Sequence, residues 1–135
     1  MIDTTDTTAQ VLVVGSQNPT YEMMALAYGA AEVVVSEYQL PPGSYPGVRY
    51  VYTPDLEASG ETFDAVLSIS SIEHDGLGRY GDPLDPWADL DSMHRLLTRH
   101  MRPGGLLFLA VPVGRDRVVF NLHRVYGCVV RLGGR

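Results

Sequence analysis

Apolar and polar positions fall in blocks along this chain, and the blocks alternate in type. Val11 to Gly15 (VLVVG) is a short unbroken apolar run, the pattern of a strand buried on both faces of a parallel sheet. Asn18-Pro19 supplies an N-cap residue with proline at the first helical position. Tyr21, Met24, Ala25 and Tyr28 then recur at helical spacing until Gly29. Glu32 to Glu37 (EVVVSE) reads as a second strand, PPGSYPG (Pro41 to Gly47) as a proline-fixed loop, Val48 to Tyr52 as a third strand and Asp64 to Ser70 as a fourth.

Asp85-Pro86 repeats the cap-and-proline start. Trp87, Leu90, Met93, Leu97 and Met101 lie on one helical stripe, closed by Pro103-Gly104-Gly105, and Leu106 to Val111 is a fifth, wholly apolar strand. From Val118, the residues Val119, Leu122, Val125, Tyr126 and Val129 predict a last amphipathic helix with Arg117, Arg124 and Arg131 on its opposite side. Strands alternating with helices imply an α/β fold of the doubly wound kind, in which ligands sit beyond the carboxyl ends of the strands. The chain shows no internal repeat or linker, so residues 1–10 read as a flexible tail and 11–135 as one domain.

One segment breaks the block pattern. Directly after the fourth apolar run, thirteen residues carry Glu73, His74, Asp75, Arg79, Tyr80, Asp82 and Asp85, interleaved with Gly76, Gly78 and Gly81. A buried strand thus delivers a glycine-hinged polar loop to the edge of the sheet where chemistry is expected.

Composition changes this picture little. The 135 residues are 45% hydrophobic with a net charge of −6, an ordered globular profile. All basic residues are arginine, and they are unevenly placed. Residues 1–94 hold two arginines against fifteen acids, a balance of −13; residues 95–135 hold eight against one, a balance of +7. An acidic body with a basic end argues against general nucleic-acid binding, and its arginines suit either an anionic substrate or the protein's own acidic face. The longest apolar run, Leu106 to Val113, is too short to span a bilayer, and MIDTTDTTAQ is no secretory signal. Cys128 is the only cysteine, which excludes an internal disulfide and leans towards a reducing, cytoplasmic setting. No fixed spacing of ligands supports a metal site.

FDAVLSISSIEH (Phe63 to His74) is similar to the fourth strand of class I S-adenosylmethionine-dependent methyltransferases, where an F-D-x-V segment runs to an E-H pair, and MRPGGLLFLAVP resembles their fifth strand. HDGLGRYGDPLDP and NLHRVYG (Asn121 to Gly127) more narrowly resemble a family of uncharacterised methyltransferase-like proteins, the domain of unknown function 268 family. The resemblance covers most of residues 11–132. It implies a three-layer Rossmann-like methyltransferase fold with a mostly parallel sheet. That fold would be truncated to about five strands, because the usual final hairpin is missing and the fifth strand is left as an open edge for a tail or a second subunit.

The resemblance also implies a cofactor, S-adenosylmethionine, held by Gly15, Ser16, Gln17, Glu37, Asp55, Ser70 and Ser71. Glu37 matches the acid that grips both ribose hydroxyls, for which a carboxylate has two acceptor oxygens; a solvated strand end is the plainer role. Asp55 stands roughly where the adenine amino group is bound, and turn formation after Pro54 is its plainer role. VLVVGSQNP departs from the family's glycine loop, keeping Gly15 but placing Gln17 and Pro19 where later glycines stand.

Of the polar loop, His74 suits proton transfer from an acceptor hydroxyl or amine, with Glu73 or Asp75 orienting it. A histidine bonding backbone at a strand end is the alternative. Arg79 suits a carboxylate or phosphate clamp, or a salt bridge to Asp75 or Asp82. Trp87 is expected to pack under the loop, Met23, Met24, Met93 and Met101 in the core, and His94 and His100 on the helix surface. Two functions follow: a methyltransferase acting on an unidentified small acceptor, anionic if Arg79 clamps it, with catalytic residues His74, Asp75 and Arg79, or a degenerate, non-catalytic binding domain that self-associates through the fifth strand or the Arg117, Arg124 and Arg131 side.

Overall fold

A computed structural model describes residues 8–127. Strands β1 (Gln10–Val14), β2 (Glu32–Glu37), β3 (Val48–Tyr52), β4 (Phe63–Ile69) and β5 (Met101–Ala110) form one parallel sheet in the order β3-β2-β1-β4-β5. Helices α1 (Thr20–Ala27), α2 (Thr53–Ser59) and α3 (Ala88–Arg95) cover it. Strand alternation sorts the core into two layers. Val11, Val13, Val33 and Val35 pack with Ala25 and Leu26 of α1. Leu12, Val34 and Val66 face the other way, onto Leu56 of α2 and Leu96 at the end of α3. Both faces of β1 and β2 are therefore buried, as their unbroken valine runs require. This is a three-layer Rossmann-like α/β fold with a five-stranded sheet. Among the described residues no helix is long and apolar enough to cross a membrane.

The last helix expected from Val118 is not formed. Arg117–Val119 is instead strand β6 and His123–Val125 strand β7, paired antiparallel in a separate two-stranded sheet. β-Branched valines favour extended backbone, and Asn121 makes the turn at φ +57°, a conformation asparagine tolerates. The expected arginine face goes with the helix: Arg117 is exposed, Arg124 is buried, and Arg131, like Val129 and Cys128, lies outside the described residues. A hairpin is thus present, although it does not extend the main sheet. Among the described residues no strand pairs with the outer edge of β5, and Phe108 and Leu109 there are exposed.

Other expectations shift in detail. Helix α2 was not foreseen; Pro54 stands in its first turn and Gly60, at φ +70°, closes it. Pro103-Gly104-Gly105 lies inside β5 as an irregularity in its pairing with β4, not between helix and strand. On α1 the inward residues are Glu22, Ala25 and Leu26, so Met23, Met24 and Tyr28 are exposed; small Ala25 lets the helix lie close to the sheet. On α3 the inward face is Asp89, Met93 and Leu96, and Trp87 is exposed, not packed under the loop. Of the expected tail, residues 1–7 lie outside the described residues, whereas Ala9 is buried and its carbonyl accepts from Ala31 N at 2.8 Å.

Candidate functional site

Strand order reverses between β1 and β4, so the loops after these two strands diverge and leave a crevice at their carboxyl ends. Gly15 ends β1 at φ +67°, and a Cβ there would stand 2.3 Å from Ser71 Oγ. The two loops therefore touch where only glycine fits. The next amide, Ser16 N, donates to Glu37 Oε1 at the end of β2. Burial raises the Glu37 carboxyl pKa, the bond from Ser16 opposes this, and nearby Glu22 raises it further.

Beyond β4, Ser70 takes φ +52° and its hydroxyl donates to Glu73 Oε1 at 2.5 Å. The fully buried Glu73 thus holds a backbone conformation that a serine rarely adopts. His74 Nδ1 contacts the Leu122 carbonyl, and because a carbonyl only accepts, that nitrogen carries hydrogen. Its Nε2 stands 3.7 Å from Glu73 Oε1. Both ring nitrogens thus face protein acceptors.

Asp75 differs. Burial raises its pKa to about 6, a hydrogen bond from Ser92 lowers it, Asp82 raises it, and Arg95 and Arg124 lower it. A carboxylate with that pKa is a competent proton acceptor near neutrality.

The rest of the polar loop is held by its own backbone. Asp82 accepts from Gly78 N at 3.1 Å and from Tyr80 N at 3.2 Å, which fixes the turn between them. Asp85 accepts from Trp87 N at 2.9 Å just ahead of α3. Gly76, at φ +76°, abuts the start of α3 so closely that a Cβ would lie 2.0 Å from the Asp85 carbonyl.

Arg124 of the hairpin closes the construction. Its guanidinium, buried with its residue 6% exposed, donates to the carbonyls of Asp75 (2.5 Å), Glu73 (3.4 Å), Asp85 (3.4 Å) and Pro86 (3.3 Å), and its Nε is 3.6 Å from Asp89. Tyr126 OH donates to Asp89 at 2.9 Å. The hairpin segment NLHRVYG and the polar loop HDGLGRYGDPLDP are therefore two halves of one structure.

These loops enclose a cavity of about 500 Å³. Gly15, Ser16, Gln17 and Glu37 line one side of it; Ser70, Ser71, His74, Asp75 and Arg79 line the other. Gln17 Nε2 reaches Tyr80 OH at 3.5 Å between the two sides. Arg79 is exposed and donates to the Asn121 carbonyl at 3.3 Å; among the described residues it makes no salt bridge to Asp75 or Asp82. Asp55 is the candidate outside the cavity, exposed in the first turn of α2, where a carboxylate favours the helix dipole.

The two halves that Arg124 joins decide the relationship. The chain belongs to the family described as Caenorhabditis protein of unknown function, DUF268, which matches residues 47–133. Neither a curated protein nor a solved structure matches it. Within the DUF268 span lie the polar loop and the hairpin, but not Gly15, Ser16, Gln17 or Glu37.

Sequence reasoning missed several residues of this DUF268 cavity. Tyr38, Thr53, Glu57, Ser92, Arg95 and His100 also line it. Burial pushes the Tyr38 hydroxyl up to about 12, helped by the charges of Asp75, Glu57 and Asp82 and opposed by Arg95. Arg95 Nε pairs with Glu57 at 2.9 Å, tying α3 to α2. His100, expected on the surface, is 2% exposed. A recurrence of polar residues at Ser92, Arg95 and His100 was the available signal, masked by the more conspicuous apolar stripe beside it.

Proposed function

We propose that this chain is an S-adenosylmethionine-dependent methyltransferase acting on a small acceptor, with Asp75 as its proton acceptor. The observation that carries the reading is the cavity at the β1/β4 switch point, which has the size of a small-molecule site and the Glu37 carboxylate on its wall. Ser16 N occupies only Oε1 of that carboxylate; among the described residues Oε2 has no hydrogen-bond partner. It is left to accept from a ribose hydroxyl.

In this reading the cofactor supplies an electrophilic methyl group. Asp75 would take the proton of the acceptor hydroxyl or amine as the acceptor's bond to the methyl carbon forms and the carbon–sulfur bond breaks, releasing S-adenosylhomocysteine, and Arg79, without a carboxylate partner among the described residues, would orient an anionic acceptor. His74, tied to the hairpin through Nδ1 and the Leu122 carbonyl, positions the loop. The ligand is small, with neither nucleic acid nor membrane as partner; the setting is cytoplasmic, and the open edge of β5 is left to a second copy of the chain.

A second reading, a non-catalytic binding domain, draws on Gln17, which stands where the resembled glycine loop has none of its bulk and reaches across to Tyr80. Calorimetric titration with S-adenosylmethionine and S-adenosylhomocysteine separates the two. The first reading expects binding that Glu37→Gln, which keeps an acceptor for Ser16 N, weakens about tenfold or more, the worth of a hydrogen bond to a charged group. No binding by folded protein overturns it in favour of the second.

A further inference from the structure

His100 is placed like a ligand-binding residue, although nothing in the resemblance assigns it a role. It ends the π-helical turn Leu96–His100 that follows α3, and such turns concentrate at functional positions because the widened ring re-aims a side chain. Its ring is almost wholly buried and lines the same cavity as Asp75. Nδ1 lies 3.0 Å from the Glu61 carbonyl, which only accepts, so Nδ1 carries the hydrogen. In the neutral ring Nε2 is then a bare acceptor. Among the described residues it has no hydrogen-bond partner, and it has almost no exposed surface of its own, so a donor meets it only as the wall beside it gives way. A buried acceptor without a donor is costly and calls for an occupant.

We infer that His100 Nε2 forms a second binding subsite in the cavity, which takes an uncharged O–H or N–H donor carried on an apolar body. The walls nearest in sequence and fold fix the second half of that description: Leu56 and Leu96 of the core layer line the cavity with His100. The donor's hydrogen goes to Nε2, and the apolar body lies on these leucines, away from water. The inference rests on the reading that this cavity binds a small molecule, and it deepens that reading. The acceptor substrate would carry a neutral donor in addition to the atom that receives the methyl group. That distinguishes it from a ligand held by charge alone, because Arg95, which lines the same cavity, is already committed to Glu57 and Ser92.

Phenol and toluene have nearly the same shape and differ in one donor, so they are the probes. Binding of each is followed by NMR titration of the full chain, with the His100 Nε2 resonance read in nitrogen-15-labelled protein. Wild type is expected to bind phenol about tenfold more tightly than toluene, the factor of one ordinary buried hydrogen bond, and phenol alone moves the Nε2 resonance. His100→Asn keeps a donor for Glu61 but withdraws the acceptor, so the preference falls to about one-to-one. His100→Gln, whose amide oxygen reaches the Nε2 position, retains it. Equal binding of both probes, no detectable binding of either, or a phenol preference surviving in His100→Asn overturns the subsite. If His100→Asn does not fold, the wild-type resonance decides alone: a response to phenol and none to toluene supports the subsite, and anything else overturns it. Titration with S-adenosylhomocysteine scores the cofactor reading separately, so the failure of either is visible without the other.

Discussion

Replacing Arg124 tests whether the hairpin builds the polar loop or merely lies beside it. Its guanidinium serves four backbone carbonyls from two separate stretches, Glu73 and Asp75 on one and Asp85 and Pro86 on the other, and stands against the buried carboxylate of Asp89. Arg124→Ala removes all of these donors at once. Only the Asp75 contact, at 2.5 Å, is short; the other three are long. Counted as ordinary hydrogen bonds, they are together worth a few kcal/mol. The larger effect is Asp89, which keeps Tyr126 OH but loses its countercharge inside the protein. Breaking one side of a buried pair costs about 3–5 kcal/mol, a large fraction of the roughly 5–15 kcal/mol that stabilises a domain.

Urea unfolding, followed by far-ultraviolet circular dichroism and by fluorescence of the single tryptophan, gives the magnitude. Trp87 adjoins the Pro86 carbonyl that Arg124 holds, so its emission reports the loop directly. Arg124→Lys keeps charge but lacks the planar fork and recovers less than half of the loss. The double variant Arg124→Met, Asp89→Leu removes the stranded carboxylate and regains stability relative to Arg124→Met alone. A loss below about 1 kcal/mol for Arg124→Ala, with Trp87 emission unchanged, would refute the argument.

Two further outcomes follow from the same loop. Gly76→Ala forces φ +76° on a residue with a Cβ and drives that atom to 2.0 Å from the Asp85 carbonyl; a loss of about 2–4 kcal/mol in the same denaturation assay is expected, and a neutral result would mean that the loop does not abut α3. Asp75, with its pKa raised from 3.8 to about 6, holds its proton in the folded state where the unfolded chain has already lost it. Its contribution to stability is therefore full below about pH 4, falls as pH rises from about 4 through about 6, and is absent above. Asp75→Asn removes that slope, so at pH 7 the variant is more stable than wild type by on the order of 2–3 kcal/mol, and the gap closes near pH 4. A stability difference that stays constant between pH 4 and 7 would contradict the buried, raised carboxyl.

β1 and β2 were the most legible, because each is a short apolar run buried on both faces. β2 and β3 fall where the pattern places them, and β1 and β4 begin one residue earlier. Helices were legible as elements but not in phase. On α1 the aromatic and methionine residues make the conspicuous stripe, yet Glu22, Ala25 and Leu26 turn inward. Hydrophobicity marks what a side chain would gain by burial, whereas the sheet selects what fits beneath a closely packed helix. The last segment failed for a related reason: Val118, Val119 and Val125 satisfy a helical spacing and a β propensity alike, and pairing across the Asn121 turn decides between them.

The candidate site was most legible in the polar loop after β4 and illegible on α2, on α3 and at Tyr38. Glu73 to Asp85 announces itself as a polar break after an apolar strand. Ser92, Arg95 and His100 resemble ordinary solvent-facing positions, and only the structure shows that they look inward. The inward polar residues of α3 and the turn after it differ in whether the protein supplies their partners. Asp89 has its partners within the protein, bonded to Tyr126 and paired with Arg124. Arg95 does likewise through Glu57. His100, a residue of the cavity wall, completes only half its bonding, at Nδ1, and its Nε2 is left without a partner among the described residues. The unsatisfied atom, rather than the most reactive side chain in the loop, is therefore the sharper guide to the shape of the ligand. Asp75 speaks to what the cavity could do to a ligand, and His100 to which ligand it would keep.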